Sequence, residues 1–261
     1  MHLGLEGKVA LVTGASRGIG EAIAEQLSIE GARLFLVARG RPDLDAVAKR
    51  LGEGTRHPVG ARAADLRTLD AAQEVVGDAV ALFGQLDILV NCAGDTRSKP
   101  FFEATNDDWM DAFAVKFHGT ARMCRSAWPH LRAARGCIVN IAGNTARHAR
   151  ADLAINGAVN SALVHLTKSL ADAGRRDGVR VNGINPGRTA TRRLERALDR
   201  IAGEHSVGRA DAAERLLESS GLARFGEPRE IGWLAAYLAS PRADFIQGAI
   251  IDIDGGETRS V

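Results

Sequence analysis

A chain of 261 residues with 45% hydrophobic and 25% charged side chains has enough apolar sequence for one globular α/β domain, expected to run from 1 to 261. Its net charge of +2 is too small to argue for nucleic acid as a partner, and basic clusters such as Arg192 with Arg193 lack interleaved aromatics for base stacking. No apolar run reaches the roughly 20 residues that cross a bilayer, and the start of the chain lacks a basic leader followed by an apolar stretch, so a cytoplasmic protein without a membrane partner is expected.

Short β-branched or apolar runs alternate with longer segments of helical period, the pattern of βαβ units feeding a parallel sheet. Strands are predicted at residues 9–13, 34–38, 60–64, 86–91, 137–142, 179–185 and 249–253, and helices near 18–30, 44–51, 69–83, 107–131, 153–173 and 230–238. Right-handed crossovers put helices on both faces, which predicts a Rossmann-type, doubly wound α/β fold on a seven-stranded parallel sheet. Residues 188–226 break the rhythm: they are polar, rich in Arg and Glu and only weakly helical. A segment of that length at the carboxyl edge of a parallel sheet reads as a lid over a substrate. Cys92, Cys124 and Cys137 are odd in number and far apart, which predicts reduced, buried thiols and no metal site.

The first predicted strand is followed by Thr13-Gly14-Ala15-Ser16-Arg17-Gly18-Ile19-Gly20, which opens directly into a helix. Gly14 allows the sharp turn, Gly18 lets backbone approach a diphosphate, and Gly20 lets the helix pack on the strand, so that the helix amides face an anion. Where an acidic residue at the end of the second strand would bind the adenosine ribose, the sequence has Ala38-Arg39. Arg39 and Arg17 are suited to a 2′-phosphate, which favours NADP over NAD; the competing reading is two solvated surface arginines. Asp65, with Leu66 beside it, either meets the adenine amine or caps a turn.

These residues resemble the short-chain dehydrogenase/reductase family. The resemblance continues through Asn91-Cys92-Ala93-Gly94, Ile138-Val139-Asn140-Ile141, Asn185-Pro186-Gly187, Arg224-Phe225-Gly226-Glu227-Pro228 and Asp254-Gly255-Gly256, and so spans nearly the whole chain. It implies strand order 3-2-1-4-5-6-7, a nicotinamide cofactor, a small-molecule carbonyl or alcohol substrate, and a homo-oligomer, dimer or tetramer. It also implies that Asn91, Ala93 and Gly94 line the cofactor and that Pro186, Gly187 and Thr191 lie toward its carboxamide end.

The same resemblance exposes a deficit. The family places an Asn in its long fourth helix, a Ser after the fifth strand and Tyr-x-x-x-Lys on the next helix; this chain has Lys116, Gly143, Asn156 and Asn160 there. Carbonyl reduction leaves negative charge on oxygen, so a positioned acid normally delivers a proton while donors stabilise the charge. Asn156 cannot titrate near neutrality and Gly143 has no side chain. Losing general acid catalysis alone costs about 10²–10⁴-fold. The only tyrosine, Tyr237, lies on the last predicted helix.

Lys116 is one of only five lysines among 34 basic residues, and with Asn160 it amounts to an exchange of Lys and Asn across one site. It reads either as acid, base or imine-forming nucleophile, or as an amine that reaches solvent or a backbone carbonyl along the helix. Asp152 is a candidate helix cap or catalyst, His148 and His118 are weaker candidates, and Asn144 and Thr145 could replace the donor lost at Gly143. Three functions remain open: an NADP(H)-dependent oxidoreductase with an unusual catalytic set, a non-redox lyase or hydrolase on the same scaffold, or an inactive dinucleotide-binding relative.

Overall fold

The computed structural model describes residues 2–53, 55, 57–94 and 99–259. Strands β1 (Val9–Thr13), β2 (Arg33–Ala38), β3 (Gly60–Ala63), β4 (Ile88–Asn91), β5 (Cys137–Ile141), β6 (Arg180–Pro186) and β7 (Ile250–Ile253) form one parallel sheet in the order β3-β2-β1-β4-β5-β6-β7. Helices lie on both faces, so the expected Rossmann-type architecture is present. Parallel strands buried on both sides read as continuous apolar runs, and β1, Val-Ala-Leu-Val-Thr, is buried at all five positions.

Alternation along each strand divides the interior into two cores. Ala10 and Val12 of β1 face one core with Leu34 and Leu36 of β2; Val9 and Leu11 face the other with Phe35 and Val37. Helices α1 (Gly18–Ile29), α2 (Arg41–Glu53) and α9 (Pro228–Ala239) cover the first core, and α3 (Ala71–Phe83), α5 (Thr120–Ala134) and α6 (Ala154–Asp177) the second. Helices α1 and α9 cross closely because Gly232 carries no side chain: a Cβ there would stand 2.8 Å from the Ala22 carbonyl oxygen.

The helix predicted at 107–131 is a composite. Helix α4 (Asn106–Phe113) starts at a capping box between Thr105 and Asp108, passes into a π-helical segment over Ala114–Gly119, and continues as α5. Spacing alone did not reveal the π turn, because one extra residue in a turn leaves the apolar stripe nearly in register. The segment 188–226 is more ordered than its composition suggested: it contains α7 (Arg192–His205) and α8 (Arg209–Ser220), which bury Leu194, Leu198 and Leu216 against each other. Their apolar spacing, Leu194, Leu198 and Ile201, is helical but thin, and charged neighbours mask it.

No helix among the described residues is long and apolar enough to cross a membrane. The cysteines are unpaired; burial pushes the Cys124 thiol up to about 12 and the Cys137 thiol up to about 11.

Candidate dinucleotide and reaction site

The carboxyl ends of β1 and β4 meet under the glycine loop. Thr13 Oγ1 accepts from the Cys92 and Ala93 amides, both at 3.1 Å, and so ties the turn after β4 to the end of β1. Gly14 sits at φ +70°, and a Cβ on it would lie 2.9 Å from Ala93 Cα and N. A Cβ on Gly20 would collide with the Gly14 carbonyl oxygen. Both positions therefore need glycine, and the loop leads directly into the N-terminus of α1, as in an anion-binding turn. Ser16, Gly18 and Ile19 lie in this loop and the first turn of α1.

Beside the loop, Arg17, Arg39 and Arg67 line one open depression with Gly40, Ala63, Ala64 and Asp65, of about 510 Å³. Arg17 also reaches Asp43, at 3.8 Å, where both side chains are more than half exposed, so the pair is weak and leaves the guanidinium available. Asp65 forms a tight local unit: its carboxylate accepts from the Arg67 amide at 3.0 Å and from the Arg67 guanidinium at 2.6–3.1 Å. Hydrogen bonding to Arg67 holds its carboxyl below the usual range. Asp65 thus serves as the turn cap of the two roles expected for it, while oxygen lone pairs remain for an amine. Arg67 was missing from the expected set, because nothing in the local sequence marks it; it enters the depression only through the turn after β3. Arg122 of α5 braces that turn by donating to the Leu66 and Arg67 carbonyls at 2.9 and 3.2 Å.

Asn91 donates to Asn140 Oδ1 at 2.9 Å, and Asn140 donates to Thr167 Oγ1 at 2.9 Å, a buried polar chain linking β4, β5 and α6. Asn91 Oδ1 is buried without a partner among the described residues. A glycine loop that excludes side chains, a depression lined by three guanidiniums and an unpartnered buried acceptor fit a phosphorylated dinucleotide. Pro186, Gly187 and Thr191 flank the neighbouring edge: Gly187 packs on Asp254, with a Cβ position 2.5 Å from Asp254 Cβ, and Thr191 approaches Gly18.

Of the four positions expected to stand where the family's catalytic residues lie, Lys116, Gly143 and Asn160 meet at the turn after β5, and Asn156 lies one helical turn before Asn160 on α6. Lys116 lies in the π-helical segment, 6% exposed, and its Nζ donates to the Ala142 carbonyl at 2.7 Å. Its stem packs on Gly94, where a Cβ would stand 3.0 Å from Lys116 Cγ and Cδ. Of the readings for Lys116, the ammonium anchored on a backbone carbonyl is the one the structure displays, with the carbonyl on the neighbouring strand end rather than along its own helix. Asn160 Nδ2 donates to Thr145 Oγ1 at 2.7 Å and occupies the space next to Gly143, whose Cβ position is 2.7 Å from that nitrogen. Asn156 and Asn160 are both buried, and each has an Oδ1 with no hydrogen-bond partner among the described residues. Two buried acceptors one helical turn apart on α6, without partners among the described residues, would be satisfied by hydroxyl groups of a ligand.

The remaining candidates fall elsewhere. Asp152 does not cap α6, whose N-cap is Leu153; it sits in a short 3₁₀ turn and pairs with Arg150 at 3.0 Å, since local ion pairing in the turn competes with capping. His118 is exposed, and His148 is half-buried in the loop before that turn. Asn144 donates to Glu257 at 2.8 Å instead of filling the place of the lost Ser, while Thr145 serves Asn160. Tyr237 lies on α9 with its hydroxyl toward Arg242, remote from the turn after β5. Glu257, near the end of the described chain, was not foreseen. It also binds Arg188 at 2.9 Å and so joins the turn after β5 to the start of the segment 188–226.

A family model described as enoyl-(acyl carrier protein) reductase matches residues 14–258. The chain is 37% identical to a D-threitol dehydrogenase of Mycolicibacterium smegmatis over 257 residues, covering 97% of this chain and 94% of that one. It is 32% identical to a meso-2,3-butanediol dehydrogenase of Serratia marcescens over 98% of this chain and 96% of that one. Its fold superposes on a crystal structure of L-sorbose reductase from Gluconobacter frateurii complexed with NADPH and L-sorbose, with a TM-score of 0.94, 30% identity and full coverage of both chains. Shared strand order, glycine loop and near-complete coverage place this chain in the short-chain dehydrogenase/reductase family of oxidoreductases.

Proposed function

We propose that this protein is an NADP(H)-dependent oxidoreductase acting on a small hydroxylated carbonyl compound or the corresponding alcohol, through a reaction site without a titrating proton donor. The observation that carries the cofactor choice is the depression shared by Arg17, Arg39 and Arg67. Three guanidiniums at one place match a phosphate monoester better than a free ribose diol. In this reading the amides of Gly14 to Gly20 hold the diphosphate, Asp65 and Leu66 border the adenine, and Asn91, Ala93, Gly94, Pro186, Gly187 and Thr191 line the rest. The bound cofactor supplies or takes up a hydride.

The chain's own residues then bind and orient the substrate. The unpartnered Oδ1 atoms of Asn156 and Asn160 accept hydrogen bonds from substrate hydroxyls, which suits polyols of the kind named for the relatives above. The Lys116 ammonium, fixed on Ala142, adds a nearby positive charge that favours negative charge on oxygen but does not reach for the proton. The proton exchanges with solvent, so turnover runs about 10²–10⁴-fold below that of a site with an ionisable acid. We place the protein in one domain with 188–226 as a substrate lid, working as a cytoplasmic dimer or tetramer.

Fluorescence titration with NADPH and NADH tests the reading. NADPH should bind at least about tenfold more tightly, and Arg39→Ala should remove that preference while leaving NADH affinity in place. Equal affinity of the wild-type protein for the two cofactors refutes it. A second reading, tight cofactor binding without turnover, draws on the engagement of Lys116 and the Asn160 amide with Ala142 and Thr145. It is chosen if NADPH binds but none of L-sorbose, D-threitol and butanediol gives a rate above that of Asn156→Ala. Imine chemistry is chosen only if borohydride traps a Lys116-dependent adduct.

A further inference from the structure

A second basic cavity lies under the lid, apart from the three arginines of the cofactor depression. It occupies about 350 Å³ between the 3₁₀ turn over Ala151–Leu153, the start of the lid and the inner faces of α7 and α8. Arg150, Arg188, Arg200, Arg215 and His205 line it, with Asp152 as its only carboxylate. Leu153, Ile201 and Leu216 give it an apolar floor.

The charge is not cancelled within the fold. Asp152 is taken by Arg150, Glu257 by Arg188 and Glu204 by Arg200, each at about one carboxylate per guanidinium. Arg215 has no carboxylate within 4 Å and no hydrogen-bond partner among the described residues, and His205 also lacks one. Each guanidinium carries five N–H donors, so the paired arginines also retain donors for a ligand. Like charges gathered around a concave, partly apolar space repel one another, and such an arrangement is stabilised when an anion enters.

The position of the cavity gives this charge a role. Leu153 stands three residues before Asn156, and Arg188 directly follows Gly187, so the cavity adjoins the turn that carries the reaction site. We propose that it is an anion subsite, and that the substrate is a hydroxylated carbonyl compound carrying a phosphate or carboxylate group held by Arg200 and Arg215. This rests on the function proposed above for the location of the reacting end, but the anion site itself stands on the cavity and its charges alone. The wider consequence is specificity by charge: neutral polyols reach the paired asparagines without an anchor, whereas an anionic group fixes one end of the substrate under the lid.

The test measures binding rather than turnover. Isothermal titration with inorganic phosphate, and with fructose 6-phosphate against fructose, is run at constant ionic strength on an Arg17→Ala/Arg39→Ala/Arg67→Ala background, which removes the guanidiniums of the cofactor depression. Phosphate and fructose 6-phosphate should bind and fructose should not. Arg200→Ala/Arg215→Ala should weaken the two anions about tenfold or more, as expected for lost charge-assisted hydrogen bonds. Arg215→Gln alone, exposed and outside every ion pair, should weaken them without altering the fold. Arg175→Ala, a loss of equal charge at the far end of α6, should leave them unchanged. The proposal is overturned if phosphate does not bind, or if Arg215→Gln and Arg175→Ala have the same effect. Fructose 6-phosphate bound no better than phosphate overturns the assignment of the anion to the substrate.

Discussion

Gly143→Ser puts the packing of the reaction site to a direct test. A Cβ at 143 would stand 2.7 Å from Asn160 Nδ2 and 3.4 Å from its Cγ, so the amide must move. Moving it breaks the 2.7 Å donation to Thr145 Oγ1. Loss of a buried hydrogen bond costs about 0.5–1.5 kcal/mol and overpacking about 1–3 kcal/mol, and because movement relieves part of the second cost, the sum expected is about 2–3 kcal/mol. In a chain of this size each kcal/mol lowers Tm by about 2–4 °C, so calorimetry should show a drop of about 5–10 °C. With Asn160→Ala already present, neither cost applies, and adding Gly143→Ser should lower Tm by less than about 2 °C, a coupling of the size contacting residues show. An equal drop in both backgrounds would refute the argument that Asn160 occupies the space a residue 143 side chain would need.

Other substitutions probe the remaining parts. Gly20→Ala drives a Cβ into the Gly14 carbonyl oxygen and should abolish dinucleotide binding by fluorescence titration, with Tm lowered as well. Arg122→Ala frees the Leu66 and Arg67 carbonyls and should reduce the preference for NADPH over NADH about three- to tenfold by loosening the turn that carries Arg67, with a loss of about 1–2 kcal/mol in stability. Glu257→Gln breaks the contact with Arg188 and weakens that with Asn144; hydrogen exchange should speed up across 188–226, with a cost of roughly 2–3 kcal/mol. Glu230 is lowered from 4.5 to about 2 by its hydrogen bonds from Arg224, so the stability it contributes is present above pH 4.5 and fades as pH falls toward 2. Urea unfolding of Arg224→Ala should therefore show a small deficit at pH 7, since the pair is exposed, that fades as pH falls through about 2.

The strands were legible because a parallel sheet covered on both faces forces apolar runs such as Leu34 to Ala38, and few other structures tolerate them. Glycines at 14, 18 and 20 were legible for a different reason: each is required by backbone, and backbone geometry leaves the same trace in any sequence that builds it. Helices α7 and α8 were harder, since only Leu194, Leu198, Ile201 and Leu216 carry their pattern among charged residues that solvent tolerates in any conformation. Arg67 and Glu257 could not be read at all. Each acquires its role from a turn that brings distant segments together, Arg67 by way of Arg122 and Glu257 by way of Arg188 and Asn144. Register singled out positions 116, 143, 156 and 160, but sequence could not tell that Lys116 ends on Ala142 or that both asparagine oxygens stay without donors among the described residues.

The crossing of α1 and α9 at Gly232 has a consequence for the order in which the protein is made. Helix α1 follows the glycine loop, yet Ile23, Ala24 and Leu27 share their core with Ile231, Ala235 and Ala236, about 200 residues later in the chain. At roughly 5–20 residues per second, α9 leaves the ribosome about 10–40 s after α1. Through that interval the first βαβ unit holds an uncovered apolar helix face, and the long sequence separation makes its closure a late event. The cofactor turn, first to be translated, is thus among the last parts to become rigid, and a nascent chain stopped before residue 228 should expose it to chaperones and proteases rather than to a dinucleotide.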